Sequence, residues 1–160
     1  MTLKRRNAAI LILILSVALA GSFIPSKFAF TRSPSLRYRV FCLDRSPDTR
    51  GLKRGDYVMF ILKDKRVENG KPVNITKEVG CAPGDTLVVQ GKDYYCNGNE
   101  YLGKAKDYAL NGERLDHFVF NGPVPEGKVF VAGHHKDSYD SRYFGFVGVE
   151  AITARAYPVF

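Results

Sequence analysis

Val73-Asn74-Ile75-Thr76-Lys77-Glu78-Val79 decides how this chain is built. Side chains alternate strictly, so Val73, Ile75, Lys77 and Val79 share one face of a strand and Asn74, Thr76 and Glu78 the other. The apolar face therefore carries a lysine. A buried ammonium is costly unless it snorkels, pairs or loses its proton. Two readings follow. Lys77 is an edge-strand charge that blocks aggregation, or it is a buried amine whose lowered pKa lets it act as a base. The pattern alone does not separate them.

The segments on either side of this strand read as further strands. Lys53-Arg54-Gly55-Asp56 is a turn feeding Tyr57–Leu62, a continuous apolar run that predicts a buried strand. Cys81-Ala82-Pro83-Gly84-Asp85 is another turn. Leu87–Gln90 and Asp93–Cys96 form a hairpin across Gly91-Lys92, closed by Asn97-Gly98. Lys104–Glu113 is a modest helix candidate, weakened by Gly112. A strand follows at Lys128–Ala132, then a polar loop at Gly133–Arg142. Tyr143–Val147 and Ile152–Pro158 read as closing strands. Upstream, Tyr38–Phe41 is strand-like, and Pro34 excludes a regular central strand around it. Short strands divided by Gly, Asn and Asp turns predict an all-β, mostly antiparallel domain over residues 28–160.

Residues 1–7 are short and basic, and Ala8–Ile24 is apolar apart from Ser16, Gly21 and Ser22. Seventeen helical residues span about 25 Å, the short end for crossing a bilayer. Residues 8–25 are therefore expected to be a transmembrane anchor. Ala18-Leu19-Ala20 leaves a cleaved signal sequence as the alternative. Either reading exports the following domain, with the N-terminus in the cytoplasm. The net charge of +8 suits an anionic lipid surface, and no recognition motif accompanies it, so no nucleic-acid partner is expected. Cys81 and Cys96 flank the predicted hairpin and are the expected disulfide pair, leaving Cys42 free. No Cys-x-x-Cys spacing is present, and neither metal nor cofactor is expected.

Ser33-Pro34-Ser35-Leu36 lies shortly after the apolar run. Read alone it is a turn. His134-His135 lies in a polar loop and reads as solvated, and His117 is in a polar segment, so a histidine base is not favoured. A serine nucleophile can instead use a neutral lysine. Lys77 is the lysine placed for that role, and Asp137–Arg142 supplies hydroxyls that could orient the amine and an Asp and Arg that could pair to fix the loop.

At these residues the sequence resembles the signal peptidase I family, the membrane-anchored serine–lysine leader peptidases, and within it the TraF branch of conjugation systems. Ser33–Leu36 follows the Ser-x-Ser-Met/Leu box, and Gly55–Phe60 follows Gly-Asp-x-Val-x-Phe. Lys77–Asp85 follows Lys-Arg-x-x-Gly-x-Pro-Gly-Asp. Residues 133–145 follow Gly-Asp-Asn-x-x-x-Ser-x-Asp-Ser-Arg-Tyr-Phe-Gly. The resemblance implies Ser35 as nucleophile and Lys77 as general base. It implies an oxyanion hole from the Ser33 hydroxyl and the Ser35 backbone N–H. Ser138 would orient the lysine, with Asp140 and Arg142 as a supporting ion pair.

The chain departs from the family pattern in places. Arg37 and Tyr38 stand where a proline usually follows the serine. Glu78 replaces an arginine, Ala82 is an extra residue, and His134-His135 replaces Asp-Asn in a last box that is one residue short. The resemblance implies an endopeptidase of the bacterial inner membrane with its catalytic domain in the periplasm. Its substrate would be an exported precursor, with a conjugative pilin first among candidates. A general secretory leader peptidase and a non-catalytic pilus-assembly scaffold are the alternatives.

Overall fold

The computed structural model describes residues 27–31, 35–46 and 48–159, together with Ile12 and Ser16. The expected anchor at 8–25 lies outside the described residues apart from those two. Among the described residues no helix is long and apolar enough to cross a membrane.

Eleven strands are described: β1 (Phe28–Phe30), β2 (Val40–Asp44), β3 (Tyr57–Leu62), β4 (Val73–Cys81), β5 (Thr86–Gln90), β6 (Asp93–Cys96), β7 (Glu100–Lys104), β8 (Gly122–Pro123), β9 (Lys128–Ala132), β10 (Val147–Gly148) and β11 (Ile152–Pro158). They form a seven-stranded sheet in the order β1-β2-β11-β3-β4-β9-β10 and a four-stranded sheet in the order β7-β6-β5-β8. Every pairing between them is antiparallel, as the alternation and turn chemistry predict.

The strand that carries Lys77 is central. β4 pairs β3 on one side, with Lys77 opposite Val58, and β9 on the other, with Val79 opposite Val131. The edge-strand reading of Lys77 therefore fails: both flanks of its strand are paired. Its neighbours Val58, Phe60, Val79, Val129 and Val131 form one core cluster. A second cluster joins Leu36 to Phe41, Tyr57, Met59 and Ala154. A third knits the two sheets together, with Cys81 and Phe130 from the large sheet against Leu87, Tyr94 and Cys96 from the small one. The Cys81–Cys96 disulfide lies in that third cluster, and Cys42 is free and exposed, as the flanking of the hairpin predicts.

Two sequence expectations give way. Lys104–Glu113 is not a helix: β7 ends at Lys104, and the chain continues through a turn closed by a Tyr108–Arg114 bridge. Charge pairs to residues distant in sequence hold the segment instead, with Lys92 on Asp107 and Lys106 on Asp137. Tyr143–Val147 is not a strand either. Ser141–Phe144 forms a short helix, α1, because the Asp140 carboxylate accepts the Arg142 N–H as an N-cap. A local side-chain cap here overrides the aromatic strand propensity of Tyr143 and Phe144.

Candidate active site

Lys77 is 4% exposed, in the middle of a paired strand. Its ammonium loses hydration and gains little in return, so burial pushes its pKa down from the ordinary 10.5 to about 8. Two charges modulate this: the Asp140 carboxylate raises the value and the Arg142 guanidinium lowers it. The Lys77 Nζ donates to Ser138 Oγ at 2.7 Å, a bond across 61 residues of sequence. A near-neutral amine held in one orientation can accept a proton.

The loop after β9 is held in place by the Asp140–Arg142 pair. Arg142 Nε meets Asp140 Oδ1 at 2.8 Å and its second terminal nitrogen meets Oδ2 at 2.7 Å. Both residues are almost wholly buried. Asp140 also accepts the Gly133 N–H at 2.9 Å, and Arg142 reaches the Lys104 carbonyl at 2.9 Å and the Ser138 carbonyl at 3.4 Å. This bidentate pairing fixes the loop that carries Ser138. Because Arg142 occupies both carboxylate oxygens, Asp140 is left with a weakened hold on the charged form of Lys77.

Ser35 is buried and is drawn to the same loop by its backbone. Its carbonyl accepts the His134 N–H at 2.8 Å and the His135 N–H at 3.4 Å. Gly133 permits the approach: a Cβ there would overlap Ser138 Oγ and stand 2.8 Å from the Ser35 carbonyl oxygen. Ser35 and Ser138 thus meet at one glycine, and Lys77 is bonded to Ser138. Ser33 lies outside the described residues.

Several residues that the sequence reading passed over hold this arrangement. Gly103, at φ +111°, has room for no side chain, because the Arg142 guanidinium lies 2.5 Å from where its Cβ would be. Ser141 Oγ accepts the Val131 N–H at 2.9 Å. The Tyr94 hydroxyl donates to the Phe118 carbonyl at 2.7 Å and lies 3.2 Å from the Arg142 carbonyl, which shares that single proton. Position in the Asp-Ser-Arg box was the one available signal for Ser141; Gly103 and Tyr94 gave none. His134 is exposed, as its place in a polar loop predicts, and its Nε2 also lies 2.6 Å from Glu78 Oε2. His117 lies apart, its Nε2 3.0 Å from the Lys106 carbonyl.

A cleft of about 770 Å³ opens beside Gly133 and His134, with Gly80, Leu102, Ala105 and Ala132 supplying its apolar lining. Elsewhere, Cys81, Asp85 and Cys96 come close together. Both sulfurs are bonded to each other, so this group offers a metal no thiolate.

A family model described as "Signal peptidase, peptidase S26" matches residues 3–160. A signal peptidase I from Bacillus caldolyticus is 29% identical over 120 residues, covering 69% of this chain. The chain spans about 62% of the length of that relative. A crystal structure of a signal peptidase I from Enterococcus faecalis V583 matches at 28% identity, covering 66% of this chain and 97% of that one, with a TM-score of 0.41. A family match over nearly the whole sequence, on a chain whose buried lysine and Asp-Ser-Arg loop come together in the fold, places this protein in the signal peptidase family, peptidase S26.

Proposed function

We propose that this protein is a membrane-anchored serine endopeptidase that removes the leader of an exported precursor through a Ser35–Lys77 dyad. The observation that carries the reading is the buried Lys77 amine, bonded to Ser138 at 2.7 Å with its pKa lowered to about 8. In this reading neutral Lys77 takes the Ser35 hydroxyl proton as the oxygen attacks the scissile carbonyl. The Ser33 hydroxyl and the Ser35 N–H receive the developing oxyanion. The amine then protonates the leaving nitrogen, and an acyl-enzyme remains on Ser35. Water resolves it, or the substrate's own N-terminal amine does, giving a cyclic product. Asp140 and Arg142 hold the Ser138 loop in register.

The apolar lining of the neighbouring cleft by Leu102, Ala105 and Ala132 supports a preference for small side chains near the cut. A membrane-side location is supported by a row of exposed or half-exposed apolar groups. Phe28, Cys42 and Tyr157 are cross-strand partners on β1, β2 and β11, next to exposed Phe30 and Val159. The Cys81–Cys96 disulfide supports an oxidising compartment, the periplasm.

Among exported precursors we place a conjugative pilin first. The stretch between Asp85 and Lys128 holds a small four-stranded sheet and no large second domain, which suits a specialised enzyme. Similarity to a curated signal peptidase I favours general leader processing as the second reading. Purified full-length protein offered both precursors decides between them, with mass spectrometry of the products. Loss of cleavage in Ser35→Ala and in Lys77→Ala supports the dyad; normal processing by both variants overturns it.

A further inference from the structure

Two departures from the family pattern, Glu78 and His134, are 56 residues apart in sequence and in contact in the fold. Glu78 follows Lys77 on β4 and so points away from the amine. Its carboxylate meets His134 Nε2 at 2.6 Å and also accepts a bond from the Tyr57 hydroxyl. The Tyr57 phenol is raised above its ordinary value by burial, and the Glu78 bond adds to that. His134 contacts the site a second time: its backbone N–H donates to the Ser35 carbonyl at 2.8 Å. One residue thereby ties the serine segment to the lysine strand.

We infer that Glu78 and His134 form a clamp, an exchanged acid–base pair that positions Ser35 relative to Lys77; the inference rests on the peptidase reading. Where the family box has a basic residue after the lysine and an acid after the loop glycine, this chain has the acid on β4 and the basic ring in the loop. In this fold the two departures meet, the acid on β4 facing the ring in the loop. Fixing the Ser35 carbonyl restrains the peptide plane that follows it, and so the backbone from which the Ser35 side chain projects. Glu78 and His134 are positioning residues in this scheme: they touch no reacting atom.

The test is a charge exchange in the full chain in detergent micelles. Glu78→Arg sets a cation against His134, and His134→Asp sets a second carboxylate against Glu78. Each single variant is expected to lower kcat by about tenfold or more while KM stays within about twofold, as loss of nucleophile alignment predicts. The midpoint of the pH–rate profile is expected to stay in place, because neither change touches the Lys77 amine. Hydrogen exchange of the His134 amide is expected to speed up by about tenfold in each single variant. The double variant Glu78→Arg, His134→Asp is expected to recover both readouts to within about threefold of the parent.

A double variant as slow as its worse single, or singles that leave kcat and His134 exchange unchanged, would overturn the clamp. Parent and Ser35→Ala proteins that alike cleave nothing would sink the peptidase reading instead. The exchange measurement decides the clamp in that case too.

Discussion

Replacing Lys77 with methionine tests the central physical claim, that this amine sits in the fold at a cost. Lys77→Met keeps the length and apolar stem and removes the charge. Burial lowers the folded-state pKa from 10.5 to about 8. That difference corresponds to about 3 kcal/mol. Below about pH 8 the folded and unfolded chains both carry the proton, and the fold bears the whole cost of the buried charge. Between about 8 and 10.5 the unfolded chain binds more protons than the folded one, so stability rises with pH. Above 10.5 the cost is gone. The parent should therefore gain about 2.5 kcal/mol on the variant between about pH 6 and about pH 10. The lost bond to Ser138 and any change in packing move the whole difference up or down and leave its slope intact. All other groups titrate in both proteins and cancel. Urea unfolding of both full-length proteins in the same detergent, disulfide intact, measures it. A difference constant to within about 0.5 kcal/mol, or one of opposite sign, would refute the claim that burial depresses this lysine.

Activity should follow the same group, with precursor cleavage rising through a midpoint near pH 8, where Lys77 loses its proton. Ser138→Ala removes the acceptor of the 2.7 Å bond and should cut kcat by about ten- to a hundredfold, read by precursor-processing kinetics, while the melting curve moves little. Arg142→Met leaves the wholly buried Asp140 unpaired and should cost about 3–5 kcal/mol in denaturant unfolding. The freed carboxylate should also move the pH–rate midpoint upward, since it would hold Lys77 charged more strongly. Reducing the Cys81–Cys96 bridge, which closes a loop of sequence separation 15, should lower stability by about 3 kcal/mol in the same assay. A fluorophore on Cys42 should be quenched by brominated lipid in vesicles holding the full chain. One on Leu110→Cys in a Cys42→Ser background should not be. Equal quenching at both sites counts against docking of the β1-β2-β11 face on lipid.

Much of the strand order along the chain was legible because strand formation is a local pattern. The alternation in Val73–Val79, the apolar run Tyr57–Leu62 and the Gly91-Lys92 turn each report a period or a turn preference within a few residues. The failures were local conflicts that distant contacts or caps resolved. Tyr143 and Phe144 have strand propensity, yet Asp140 starts a helical turn under them. Lys104–Glu113 had some helical character, but Lys104 and Lys106 are engaged by Asp93 and Asp137, and Asp107 by Lys92, around an irregular turn.

By itself the sequence determined that one strand carries a lysine on its apolar face, that Ser35 and the Asp140–Arg142 segment are candidate partners, and that the domain is built of antiparallel strands. Only the tertiary structure decided that β4 is central, paired on both flanks, and that Lys77 is buried there with its amine driven toward neutrality. Desolvation depends on what covers a side chain, and the covering residues here come from strands far along the chain. The same holds for the Glu78–His134 contact. Two substitutions that weaken separate motifs in the linear sequence become one interaction when β4 and the loop after β9 are brought side by side.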